Sequence, residues 1–113
     1  MKLRLIVGLL FGLSAAMSMS SVSAAVDEAG AKALAKSNDC FKCHAVDKDK
    51  KGPSFKKTAA KYKGKADGVD KITKAITTGP KVKLDDGKEE EHKILDSKDP
   101  KQVKNLVDWI LAQ

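Results

Sequence analysis

Three residues with reactive side chains stand close together in the sequence: Cys40, Cys43 and His44. Their spacing, C-x-x-C-H, is the one at which c-type haem is attached to a protein. Two residues between the cysteines let both sulfur atoms reach vinyl groups on one edge of a porphyrin. The histidine that follows directly is placed to offer a ring nitrogen to the iron. The motif therefore predicts one covalently bound haem c, held through Cys40 and Cys43, with His44 as the first axial ligand.

Two other kinds of site use cysteines at this spacing: a redox-active cysteine pair, which can close to a disulfide, and a zinc site. A thioredoxin-like pair needs a preceding strand in a β-containing domain, and the sequence shows neither. Zinc would take Cys40, Cys43, His44 and His92 as its four ligands. However, the adjacent residues Cys43 and His44 do not easily fill two corners of one tetrahedron. Of the three kinds of site, haem fits the motif and its surroundings best.

The first 25 residues have the organisation of a secretory signal peptide. An n-region with two basic residues is followed by an apolar stretch over residues 5–17, and small residues precede a cleavage point after Ala24 or Ala25. A retained membrane anchor is the alternative, but the apolar stretch is shorter than the ~20 residues that a spanning helix needs. We therefore expect a signal peptide over residues 1–25. One mature domain over residues 26–113 would then be periplasmic, without stable membrane insertion.

The net charge of the chain and its type of basic residue indicate which partners it would bind. The formal net charge of the chain is +7, and it falls to +5 when Lys2 and Arg4 leave with the signal peptide. All other basic residues are lysines, whereas arginine is the residue best suited to phosphate recognition, so we expect no nucleic-acid partner. Lysines near the motif instead predict transient docking to redox proteins with acidic surfaces. The candidates are Lys42, which lies inside the motif, and three lysines that follow it shortly: Lys48, Lys50 and Lys51.

Apolar periodicity and capping residues predict an all-α domain with three or four helices and long loops. In the last helix, Asp99 is the N-cap, Pro100 is the first helical residue, and Gln102 would complete a capping-box pair with Asp99. Asn38 and Asp39 end the first helix just before Cys40. The earlier helices are predicted over residues 26–37, 55–63 and 68–77, and residues 81–98 form a long connection. No strand or hairpin is predicted.

Together these features resemble a small bacterial class I cytochrome c with a single haem. The resemblance rests on the C-x-x-C-H motif, on Gly52-Pro53 downstream of it, and on a last helix that reads Leu106-Val107-Asp108-Trp109-Ile110-Leu111. It implies the class I fold, in which the first and last helices pack together and the chain wraps around one haem. It also implies that the carbonyl group of Pro53 accepts a hydrogen bond from His44, and that Trp109 packs near the haem.

The sequence departs from this family at the sixth ligand of the iron. The family usually supplies a methionine from the loop before the last helix, but Met1, Met17 and Met19 all lie in the predicted signal peptide. The one histidine besides His44 is His92, which lies in that loop. We therefore expect bis-histidine ligation by His44 and His92. A lysine ligand and an open sixth position are the alternatives.

The expected function is periplasmic electron transfer by a monomer that carries one haem c and has no enzymatic activity. Imidazole donates to iron more strongly than a thioether does, so a histidine in place of methionine favours ferric iron and a low reduction potential. Two other classes stay open. One is an electron-transfer subunit of a larger redox enzyme. The other is a haem-based sensor or ligand-binding module in which a small molecule displaces the sixth ligand.

Overall fold

The computed structural model describes residues 25–113, and the predicted signal peptide lies outside the described residues except for Ala25. In this part of the chain, five α-helices and one two-stranded sheet follow one another. The elements are α1 (Glu28–Ser37), α2 (Cys40–Cys43), α3 (Phe55–Tyr62), α4 (Gly68–Thr78), β1 (Lys81–Lys83), β2 (Glu89–Glu91) and α5 (Pro100–Leu111). The four longer helices begin within two residues of their predicted starts, and the three whose ends were predicted also end within two residues of them. None of the described helices is long and apolar enough to cross a membrane.

Two residues, Asn38 and Asp39, join α1 to α2. Asp27 caps α1 by accepting a hydrogen bond from the N–H of Gly30 at 2.9 Å, so the helix begins after Asp27 rather than at Val26 as predicted. At the other end of α1, Asp39 has a positive φ of 59°. This left-handed conformation is uncommon outside glycine, and it turns the chain directly into the single helical turn of α2.

The start of α5 is capped, although not in the predicted way. Asp99 accepts a hydrogen bond from the N–H of Lys101 at 2.9 Å, and Pro100 occupies the first helical position. The expected capping-box pair between Asp99 and Gln102 is absent. Oε1 of Gln102 instead accepts a hydrogen bond from the hydroxyl group of Ser97 at 2.6 Å. The Ser97 hydroxyl lies close enough to Asp99 to accept its N–H at 3.3 Å, so the serine takes the role predicted for the glutamine.

The core lies where α5 packs against α1, α3 and α4. Ala31 and Ala35 are buried on α1, and such small side chains let two helix axes approach closely. Two reciprocal hydrogen bonds fix the pairing of α1 with α5. The N–H of Asp27 donates to Oδ1 of Asn105, and Nδ2 of Asn105 donates to the carbonyl group of Asp27, each at 2.8 Å. The buried residues of α5 are Val103, Leu106, Val107, Trp109 and Ile110. The packing of first and last helices that the resemblance implied is therefore present.

An antiparallel hairpin lies in the segment 81–98, where a connection without strands was predicted. Its strands β1 and β2 pair so that Lys81 lies opposite Glu91. The prediction is wrong because each strand has only three residues and neither contains a buried residue, so no apolar alternation marks them. Gly87, with a φ of 82°, supplies the left-handed residue of the turn. The pair Asp86-Gly87 was the hairpin signal available in this stretch.

The end of α4 lies against the segment that follows the hairpin. Gly79 ends α4 in the left-handed conformation, with a φ of 62°. A Cβ atom added to Gly79 would lie 3.0 Å from the carbonyl oxygen of His92. At the start of α4, Asp67 takes the predicted N-cap position, but its carboxylate pairs with Lys71 at 3.0 Å and makes no capping hydrogen bond. The C-terminal end of α4 therefore lies close against the backbone of His92.

Candidate haem site

The two cysteines lie on the single turn of α2. Because they are three residues apart on a helical turn, Cys40 and Cys43 project from the same side of it. Both side chains are half-buried. The N–H of His44 donates to the carbonyl group of Cys40 at 2.9 Å, and His44 then leaves the turn in an extended conformation. One turn of chain therefore presents two sulfur atoms and an imidazole together.

The surroundings of Cys40 do not favour its thiolate form. Burial raises the pKa of the Cys40 thiol above its usual value, against smaller opposing effects of a backbone hydrogen bond and of the positive charge of Lys93. Zinc ligation and disulfide exchange both use a thiolate. Among residues 25–113, moreover, no three His, Cys, Asp or Glu side chains converge to hold a metal ion. The zinc and redox-pair alternatives therefore gain no support from the structure.

The His44 ring is confined on three sides. Its Nδ1 lies 2.6 Å from the carbonyl oxygen of Pro53, which is the contact that the resemblance implied. Its ring stacks on the ring of Phe55, with ring centres 5.3 Å apart and planes 25° from parallel. A Cβ atom added to Gly52 would lie only 2.6 Å from Cε1 of His44, so a residue without a side chain is required there. The loop between α2 and α3 therefore sets the orientation of this imidazole.

The hydrogen bond to Pro53 also decides which nitrogen of His44 is free. A carbonyl oxygen only accepts hydrogen bonds, so Nδ1 carries the proton and Nε2 keeps its lone pair. Burial lowers the pKa of His44, and the charge of His92 acts in the same direction, against the opposing effect of the Pro53 hydrogen bond. A neutral imidazole with its Nδ1–H on a backbone carbonyl is the form in which histidine usually ligates a metal.

His92 follows β2 directly, and the hairpin places it. Its N–H donates to the carbonyl group of Pro80 at 2.8 Å, which extends the pairing of the two strands by one residue. Its Nδ1 lies 2.9 Å from the carbonyl oxygen of Lys93. As in His44, the carbonyl oxygen requires the proton on Nδ1, so in the neutral ring the lone pair is on Nε2. His92 is half-buried, unlike the exposed residues on either side of it.

The two imidazole rings lie at a separation that suits a shared metal ion. Their ring centres are 6.1 Å apart, and their planes are inclined by 38°. Two imidazoles bound to one metal from opposite sides have ring centres about 6 Å apart, since each metal–nitrogen bond is about 2 Å and each ring centre lies about 1 Å behind its nitrogen. The separation of the rings and the two Nδ1–carbonyl contacts therefore both fit a haem iron held between His44 and His92.

Phe55 connects the site to the core, and sequence reasoning missed this role. Besides stacking on His44, its ring meets the ring of Trp109 edge-on, with ring centres 5.3 Å apart at 70°. The ring of Phe41, which lies inside the motif, also meets the ring of Phe55 edge-on, with ring centres 6.0 Å apart and planes at 76°. Trp109 is 3% exposed and reaches the site through Phe55. The position of Phe55, two residues after Pro53, was the available signal.

Known proteins resemble the chain over the helices and loops that form this site. The family model described as Cytochrome c matches residues 28–113. Cytochrome c-551 of Pseudomonas denitrificans is 37% identical over 79 residues, which make up 70% of this chain and 92% of that protein.

Two solved structures extend the comparison to the fold. The class 1 cytochrome MtoD from Sideroxydans lithotrophicus ES-1 is 57% identical with a TM-score of 0.74, and the match covers 78% of this chain and 97% of that one. Cytochrome c552 of Nitrosomonas europaea is 31% identical with a TM-score of 0.58, over 72% of this chain and 96% of that one.

The family match reaches from α1 to the end of the chain, so it includes the C-x-x-C-H turn, the aromatic rings beside it and the last helix. A bound haem supplies an iron centre that takes up and releases one electron, and the protein tunes it through its ligands and surroundings. The chain therefore belongs to the cytochrome c family: it is a mono-haem electron carrier of the class I fold, not an enzyme, with one covalent haem c whose attachment motif contains Cys40, Cys43 and His44.

Proposed function

We propose that the protein is a periplasmic electron carrier of low reduction potential whose haem iron is ligated by His44 and His92. The observation that carries this proposal is the arrangement of the two histidines, with ring centres 6.1 Å apart and each Nδ1 on a backbone carbonyl. The sequence supports it too, because residues 26–113 contain no methionine that would serve as a sixth ligand.

Two features of the site favour the ferric state and hence a low potential. The second imidazole is a stronger donor than a thioether, and both histidines are half-buried, so water has access to the charged centre. The exposed acidic residues of the hairpin add to this by stabilising the extra positive charge of the oxidised iron, although solvent and salt screen much of their effect. These residues are Asp85, Asp86, Glu89, Glu90 and Glu91.

A potentiometric titration of the holoprotein beside His92→Met tests the potential. The variant restores the ligand type that the family usually has, at the same chain position. We expect its potential to be higher by at least about 60 mV, which corresponds to a tenfold change in the preference for ferric over ferrous iron. Equal potentials in the two proteins would contradict the proposed role of His92.

The remaining parts of the proposal concern location and partners. Residues 1–25 would be removed on export, which leaves residues 26–113 as the periplasmic domain. Trp109 would pack near the haem through Phe55, and the protein would act as a monomer. Exposed lysines around the attachment turn would dock acidic redox proteins, with rates that fall as salt rises. The structure supports this last point, since the four lysines predicted for docking are exposed: Lys42, Lys48, Lys50 and Lys51.

One observation favours a second candidate function, the binding of a small ligand at the sixth position. The Nδ1 of His92 is held by the carbonyl group of the next residue, Lys93, so within residues 25–113 the hydrogen-bond partner of this ring belongs to its own segment. The ring and its partner are therefore able to move away from the iron together. Rapid and complete carbon monoxide binding by the reduced holoprotein would support this candidate, and an unchanged Soret band would support electron transfer.

A further inference from the structure

Asn38 is a buried polar residue that the haem site described above does not use. It stands directly after α1 and two residues before Cys40. Its side chain is almost completely enclosed, with 2% of its surface exposed. A polar side chain buried to this degree is costly unless its hydrogen-bonding groups are satisfied. Its partners therefore show what it contributes.

The partners of Asn38 join two distant parts of the chain. Its Nδ2 donates to the carbonyl group of Leu34 at 3.0 Å, which fixes the side chain on the last turn of α1. Its Oδ1 accepts a hydrogen bond from the N–H of Asp96 at 2.9 Å, across 58 residues of sequence. Asp96 lies four residues after His92, so one side chain links the approach to the attachment turn with the segment that carries the second histidine.

Three hydrogen bonds hold the segment 92–96 at its two ends. The N–H of His92 donates to Pro80, and the N–H of Leu95 donates to Ile76 at 2.9 Å, so both of these tie the segment to the region where α4 ends. The bond from Asp96 to Asn38 is the third, and it is the one that reaches the side of the attachment turn. A salt bridge between Lys93 and Asp39, 3.7 Å long, runs in parallel but is half-exposed and contributes little.

We infer that Asn38 is a positioning residue for His92: it fixes the segment that carries the sixth ligand relative to the turn that carries the cysteines. The inference rests on the proposed function, in which His92 ligates the iron. Loss of the hydrogen bond to Asp96 lets the segment move as a unit, and His92 then spends more time away from the iron. By the reciprocity of coupled equilibria, displacement of His92 weakens the hydrogen bond between Asn38 and Asp96 by the same factor.

Carbon monoxide binding to the ferrous holoprotein tests this inference, because the ligand enters only when His92 is off the iron. Asn38→Leu keeps the size of the side chain and removes all three of its hydrogen bonds, the third being a 3.3 Å contact from Nδ2 to the hydroxyl group of Ser37. We expect its binding rate to rise about fivefold, which is the equivalent of one net hydrogen bond of about 1 kcal/mol.

Asn105→Ala is the matched control for a purely structural effect. It also removes an asparagine with hydrogen bonds between distant segments, but those bonds join α1 to α5 and do not involve the His92 segment. Its carbon monoxide rate should equal the parent's even if its melting temperature falls. An unchanged rate in Asn38→Leu, or an equal rise in Asn105→Ala, would overturn the inference.

Amide exchange in the parent holoprotein tests the same coupling without any variant, in case Asn38→Leu does not fold. When cyanide replaces His92 on the ferric iron, the Asp96 amide should exchange about fivefold faster. The amide of Asp27, held by Asn105, should not change. Equal exchange at Asp96 in the two forms would overturn the inference while leaving bis-histidine ligation intact. If the absorption spectrum of the parent showed no bis-histidine ligation, it would instead contradict the proposed function.

Discussion

At the scale of single residues, both histidines donate a hydrogen bond from Nδ1 to a backbone carbonyl group. The two carbonyl groups lie at different distances along the chain. The partner of His44 is Pro53, nine residues further on, so a closed loop fixes this ring. The partner of His92 is its neighbour Lys93. The orientation of His44 is therefore built into its loop, whereas the position of His92 depends on how its whole segment is held.

Replacing Gly52 with alanine should displace the His44 ring. The new methyl group would lie 2.6 Å from Cε1 of His44, and the ring has no room to retreat because Pro53 and Phe55 confine it. Overpacking of this kind costs roughly 1–3 kcal/mol of unfolding free energy. We expect a lower melting temperature and a partly high-spin ferric absorption spectrum. Gly64→Ala is the control, because its positive φ makes it strained but no atom lies within 4 Å of the added Cβ. The prediction fails if Gly52→Ala keeps the parent's low-spin spectrum.

Asp49 should give the stability a pH dependence in the acid range. Its carboxylate accepts hydrogen bonds from the N–H of Ser54 at 2.8 Å and from Lys57 at 3.0 Å, which hold its pKa below the usual value. A carboxyl group of this kind stabilises the fold above its ordinary pKa, and the stabilisation is lost as the pH falls through its lower folded-state value. In thermal melts, Asp49→Asn should therefore lose less stability than the parent on going from about pH 5 to about pH 2. Equal acid slopes for Asp49→Asn and the parent would refute the prediction.

At this scale, spacing along the chain revealed the residues that react, but not those that support them. Cys40, Cys43 and His44 are adjacent in sequence, and their chemistry follows from residue type and spacing alone. Phe55 and Asn38 act through partners that lie far along the chain, and no local pattern marks such contacts. Asn38, for example, was predicted only to end a helix, which it also does.

At the scale of elements, α5 is the helix on which the others pack, and Leu106 lies at its centre. Leu106 is 1% exposed and belongs to the same core cluster as Ala31, Phe55 and Ile72, which come from α1, α3 and α4. Because one side chain contacts the cluster formed by all three helices, its loss affects the whole core rather than a single pair of helices.

Leu106→Ala should lower the unfolding free energy of the holoprotein by about 2–5 kcal/mol, because it removes buried contacts and leaves a cavity. Val69→Ala is the matched control, since Val69 is 43% exposed on α4 and its truncation should change stability by less than about 0.5 kcal/mol. Denaturant titrations followed by circular dichroism measure both. Similar losses in the two variants would show that the core is not centred on α5.

The long helices were predictable because caps and apolar periodicity agree in them. The start of α5 shows this best, where Asp99 and Pro100 both mark the same boundary. The hairpin was not predictable from periodicity, since both its strands lack a buried face. This matters for the site, because the pairing of β1 with β2 is what carries the chain to His92.

At the scale of the whole molecule, the hydrophobic core and the haem site share the same aromatic side chains. Residues 26–113 contain only four aromatic side chains, and three of them, Phe41, Phe55 and Trp109, make ring contacts in a cluster beside His44. A small domain with so few large apolar residues gains much of its stability from a rigid body that it packs around. We therefore expect haem attachment to stabilise the fold of residues 26–113.

The ferric absorption spectrum of the holoprotein, recorded into the near-infrared beside that of His92→Ala, tests bis-histidine ligation most directly. The parent should be low-spin with two nitrogen ligands, and His92→Ala should become high-spin because its sixth position is open. Imidazole added to the variant should restore the low-spin spectrum, since it replaces the missing side chain with the same ligand. A variant that stays low-spin without imidazole, with the parent's spectrum, would show that His92 is not the ligand and would contradict the account.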